Sequence, residues 1–83
     1  MINVQIGNTV KAIGMGALFV SMVPNSAGQG VVVHVANPEG IATDPEVLSQ
    51  NYNREYLTDG ILFKDSGNGE ILWLASDDFE ILA

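Results

Sequence analysis

The chain has 83 residues, no cysteine, and ten carboxylates against three lysines and arginines, for a net charge of −7. That length fits one domain spanning 1–83 and leaves no room for a second core. Disulfides, thiolate metal sites and cysteine nucleophiles are excluded. So is the basic patch that neutralises phosphates, and direct nucleic-acid binding is not expected.

The charge is unevenly placed. Residues 1–38 hold no carboxylate, and 39–83 hold all ten with only Arg54 and Lys64 to offset them. A split of this kind points toward basic protein surfaces. The 47% apolar content supports a folded core rather than a disordered acidic tail.

In chain order, Ile2, Val4 and Ile6 alternate with Asn3 and Gln5, which predicts a half-buried strand. Gly7-Asn8 turns the chain and Thr9 to Ile13 continues extended. Gly14 and Gly16 disfavour a helix by up to about 1 kcal/mol each, so Ala17 to Val23 is predicted as a strand after a glycine bend. The apolar run 12–23 is too short to cross a bilayer, which needs about 20 residues. Lys11 before it and Ser26-Ala27-Gly28 after it loosely fit a signal peptide. The flanking glycines and the upstream strand-like segment suit a folded domain better.

Residues 24–30 read as a loop, and Val31 to Ala36 is the clearest strand, because consecutive valines are stiff at χ1 and fit a pleated surface. Asp44-Pro45-Glu46 is a helix start, with an aspartate N-cap, proline at the first helical position and an acid in the first turn. One short helix near 45–52 follows, then a polar connector over 51–59. Ile61 to Asp65 and Glu70 to Ala75 flank Asn68-Gly69, the strongest short-range hairpin signal. Asp77-Asp78 turns the chain into a last strand, 79–82. The fold class is mostly β, a five- to six-stranded antiparallel barrel or curled sheet with one helix. Strands 17–23, 31–36 and 71–75 are apolar on both faces, so the sheet must curl or meet another protein surface, a second copy of the chain included.

The segments Ile6-Gly7-Asn8-Thr9-Val10-Lys11, Gly30-Val31-Val32-Val33, Gly60 to Asp65 with Ile71 to Leu74, and Ser76 to Leu82 together resemble an SH3-like barrel of the Tudor, KOW or photosystem I subunit IV type. The likeness covers the two ends of the chain. Residues 38–59 are long for a loop of such a barrel, and the basic residues of its nucleic-acid-binding members are absent. The resemblance implies a barrel shape and binding rather than catalysis, and it assigns no site residue.

The chemistry-bearing residues agree with binding. His34, the only histidine, lies in the valine strand without a nucleophile elbow, and reads as a strand histidine facing solvent or bonded at the sheet edge. Asp65 to Glu70 puts glycine at the third and fifth positions, where a calcium loop needs oxygen ligands, so it reads as a hairpin turn. Gly14-Met15-Gly16 lacks the third glycine of a dinucleotide fingerprint. Asp77, Asp78 and Glu80 form the densest acidic cluster, read as a solvated turn or as a contact for a basic partner. Trp73 reads as core, and Met15 and Met22 as gap-fillers or interface residues.

No catalytic residue, metal or cofactor is expected. The expected function is a non-enzymatic cytoplasmic protein-protein interaction module, self-associating or docked on a partner through Trp73, Asp77, Asp78 and Glu80. The alternative is an acidic inhibitor that mimics nucleic acid, of the kind phages use against basic nucleic-acid-handling host proteins. No membrane partner is expected.

Overall fold

The computed structural model describes residues 3–83, and at its centre lies the strand that the valine run dictates. The elements run β1 (Thr9–Ala12), α1 (Gly14–Ser21), β2 (Gln29–Val35), α2 (Pro45–Gln50), α3 (Arg54–Thr58), β3 (Ile61–Asp65), β4 (Ile71–Leu74) and β5 (Phe79–Ile81). The strands form one open antiparallel sheet in the order β4-β3-β2-β1-β5. β1 to β4 make a meander, and β5 returns to pair with β1.

One irregularity sets the sidedness of the sheet. Val32 pairs with Phe63 and His34 pairs with Leu62, so Val33 is an extra residue, a β-bulge in the central strand. Val32 packs into a cluster on one face with Val10, Val20, Phe63, Leu74 and Phe79. The bulged Val33 itself packs into a cluster on the other face, built on Val47, Leu62 and Ile71 with Leu57 and Trp73 at its margin. Each face therefore has its own helical cover: α1 through Val20 on the first, α2 through Val47 and α3 through Leu57 on the second. The two-sided apolar strands are accounted for in this way within one chain.

Four sequence expectations are corrected. Residues 17–21 of the segment predicted as a strand are helical, within α1, and Met22 and Val23 follow in the turn after it, because Gly16 is a contact rather than a breaker. A Cβ at Gly16 would stand 2.5 Å from the Asp78 carbonyl oxygen and 2.8 Å from Leu74 Cδ2, so only glycine lets this helix lie on the β4–β5 turn. Burial of Val20 then outweighs the intrinsic glycine cost. Residues 3–6 form no strand, and Ile2 lies outside the described residues. Asn8 closes a turn there, accepting from the Gln5 N–H through Oδ1 at 2.7 Å while its own N–H donates to the Gln5 carbonyl at 3.0 Å.

The connector 51–59 contains α3, so the described residues hold three helices where one was expected. Arg54 ties α3 to the loop before α2, its guanidinium donating to the carbonyls of Pro38 and Glu39, each at 2.9 Å. The fourth correction is His34, which is 1% exposed in the central strand rather than at an edge. Its Nε2 lies 2.9 Å from the Leu57 carbonyl, and so must carry the proton.

The remaining elements follow their signals. Asp44 caps α2, its Oδ1 accepting from the N–H groups of Glu46 at 2.9 Å and Val47 at 3.1 Å, with Pro45 at the first helical position. The β3–β4 hairpin turns over 66–69 with Gly69 at φ +73°.

Candidate functional site

α1 is apolar on every side and carries no charge. It buries only Gly16 and Val20, leaving Met15 69% exposed, Leu18 58% and Phe19 42%. A helix placed this way leaves a contiguous apolar surface in water, the usual mark of an interaction site.

Met15 and Phe19 form one wall of a groove of about 580 Å³. Its floor is the edge strand β4 with Ala75 just after it, and its opposite wall is Tyr52 and Tyr56. Two edge-to-face contacts build that wall. The rings of Tyr52 and Tyr56 are 6.5 Å apart at 78°, and those of Tyr56 and Trp73 are 5.7 Å apart at 65°. Trp73 is held in turn by Nε1–H donating to the Asp59 carbonyl at 2.7 Å. Burial, and then the charge of Glu46, push the Tyr52 hydroxyl above its ordinary pKa, so it remains a donor at neutral pH.

Among the described residues, Asp78 is the only charged side chain lining the groove. The Asp78 carbonyl accepts from Ile13 N–H at 2.9 Å, which joins the acidic turn to the start of α1.

The structure thus brings together Trp73 and Asp78, two of the four residues singled out from sequence. Asp77 is exposed on the same turn. Glu80 lies on β5 opposite Lys11, outside the groove lining. Sequence reasoning missed Phe19, Tyr52 and Tyr56, and placed Met15 only as a gap-filler or interface residue. The four-residue spacing of the tyrosines and the absence of alternation in 15–22 were the available signals.

The chain matches no protein-family model, no curated protein and no solved structure.

Two buried polar groups lie away from the groove. Asp65 is 1% exposed and its carboxylate accepts from Ser26 Oγ–H, from Ala27 N–H at 2.8 Å and from Gly67 N–H at 2.7 Å. Burial raises its pKa, but the bonds from Ala27, Ser26, Gly67 and Asn68 outweigh burial and hold it below the ordinary carboxylate value. It clamps the loop after α1 to the hairpin turn. His34 is engaged by α3. Among the described residues, no three histidine, aspartate or glutamate side chains converge as metal ligands do, and no helix is long and apolar enough to cross a membrane.

Proposed function

We propose that the chain is a non-enzymatic protein-binding module, docking an apolar segment of a protein partner in the groove between α1 and the tyrosines. The observation that carries this reading is the groove itself: aromatic walls, a half-buried tryptophan and one carboxylate, beside a helix whose apolar side chains face water. Aromatic residues held in fixed geometry are efficient contact surfaces, because little rotamer freedom is lost on binding. The meander whose last strand returns to β1 supports reading the sheet as a half-open SH3-like barrel.

The alternative is an acidic mimic of nucleic acid, and it draws on the same ten carboxylates. Several of these have structural partners. Asp44 caps α2, Asp65 is buried, and Glu46 pairs with Lys64 at 3.0 Å. That weakens a continuous phosphate-like array and favours the groove.

Affinity capture with wild type and Phe19→Asp, at about 0.1 M and 0.5 M salt, separates the two readings. A partner retained at high salt and lost by the variant supports docking in the groove. A basic nucleic-acid-handling partner that is lost at high salt and indifferent to Phe19 supports the mimic.

A further inference from the structure

Of the two sheet edges among the described residues, the groove follows the one without a protecting charge, proline or bulge. Exposed edges are usually protected by charge, proline or a bulge. β5, at the far edge, carries Glu80 at its centre. β4 is Ile71-Leu72-Trp73-Leu74, with none of these devices.

The pairing register shows which backbone groups are open. Asp65 N–H donates to the Glu70 carbonyl at 2.8 Å, and from there the register pairs Phe63 with Leu72 and Ile61 with Leu74. In an antiparallel ladder bonded and non-bonded pairs alternate, so Leu72 and Leu74 bond to β3 while Ile71 and Trp73 turn their N–H and C=O outward. The Ile71 carbonyl lies 3.2 Å from the Tyr52 hydroxyl, whose single proton has a closer acceptor in Gln50 Oε1 at 2.8 Å. Residues of α1 stand on one side of this edge and the two tyrosines on the other. The result is a slot with a wall on each sheet face and an open strand edge as its floor.

We infer that this slot takes an extended segment of a partner protein, added to β4 as a sixth strand, apolar along its length and bearing a lysine or arginine at the Asp78 end. The inference rests on the groove being a docking site. Charge complementarity selects the occupant. Among the described residues Asp78 is the one charge in the slot, and Asp77 adjoins it. Lys64 is paired with Glu46 and Arg54 with the carbonyls of Pro38 and Glu39, while Lys11 lies on β1 opposite Glu80. A second copy fits poorly. Antiparallel β4–β4 pairing with Trp73 opposite Trp73 would set Glu70 of one copy opposite Ser76 of the other, next to Asp77, at both ends, and two chains of net charge −7 repel in any register. At ~3.3 Å per residue, the floor from Ile71 to Ala75 accepts about five residues of peptide.

The probe is a capped nonapeptide of alternating valine and alanine with lysine at both ends. It is compared with the same peptide bearing glutamate ends, and with one N-methylated at alternate residues to remove ladder donors. Binding is followed by amide chemical shifts, and by hydrogen exchange at the Trp73 amide. The expected result is saturable binding of the lysine peptide with Trp73 exchange slowed about tenfold or more. Binding should be about tenfold weaker for the N-methylated peptide. Asp78→Asn, a near-isosteric change on an accessible turn, should narrow the preference for lysine over glutamate ends. If the N-methylated peptide binds equally, or Trp73 exchange is unchanged on binding, strand addition is overturned while apolar docking stands. No binding at millimolar peptide overturns the strand slot, and Phe19-dependent capture from lysate then decides the docking reading separately. A concentration-dependent dimer with a protected Trp73 amide and no peptide present would assign the slot to a second copy, against the inference.

Discussion

Asp65 sits where a carboxylate is costly unless its lone pairs are occupied. Ser26, Ala27 and Gly67 occupy them, so the group joins two loops that are distant in sequence. Asp65→Ala leaves those donors without a partner and should cost about 2–3 kcal/mol in a urea titration. The pH dependence has a definite sign. Asp65 has a folded pKa below its ordinary value of 3.8. Its contribution is therefore complete above that value and is lost as pH falls through the folded pKa. The urea midpoint of wild type should fall below about pH 4, and that component should be missing from the curve of Asp65→Asn. A second test at this scale is Gly16→Ala. Alanine favours a helix by up to about 1 kcal/mol, but its Cβ collides with the Asp78 carbonyl and Leu74. The contact should win, with a net loss of about 1–3 kcal/mol by chemical denaturation.

At the scale of elements, those with local chemistry behaved as read. The hairpin announced itself through Asn68-Gly69, and α2 through Asp44-Pro45-Glu46. Asp44→Ala should lower stability by about 1 kcal/mol and fray α2, seen as faster hydrogen exchange at Leu48 N–H, which donates to the Asp44 carbonyl at 3.0 Å. The elements that were misread lack a local signal. α3 has five residues and no side-chain cap, so its existence depends on the Arg54 clasp and on Leu57 against the second cluster. α1 was hidden because a uniformly apolar run fits a buried strand and a buried helix equally well. The tight seat of Gly16, which decides between them, is a tertiary contact 62 positions from Asp78. The candidate site inherited both errors. Trp73 and Asp78 were legible as an aromatic on a strand and an acid on a turn. Phe19 and Tyr56 were not, because they belong to the two helices that sequence reasoning did not place.

For the whole molecule, the division of charge along the chain is not a division in space. β1 and β2 come from the acid-free half, yet they lie in the middle of the sheet, between β3 and β4 on one side and β5 on the other. Glu70 and Glu80 therefore sit at opposite flanks, and at net charge −7 electrostatic repulsion opposes contact between copies through the exposed Met15, Leu18 and Phe19. Titrating toward the isoelectric point near 4.1 removes that repulsion. Asp65 keeps its contribution down to about 3.8, so the surface loses its charge before the loop clamp fails. Light scattering should rise between about pH 5 and pH 4 while far-UV circular dichroism still reports the native fold. Phe19→Lys should reduce that rise without changing the urea midpoint at pH 7, because Phe19 is substantially exposed and outside both core clusters. Scattering that appears only together with loss of dichroism would instead assign low-pH association to the unfolded chain and leave the α1 surface with no part in it.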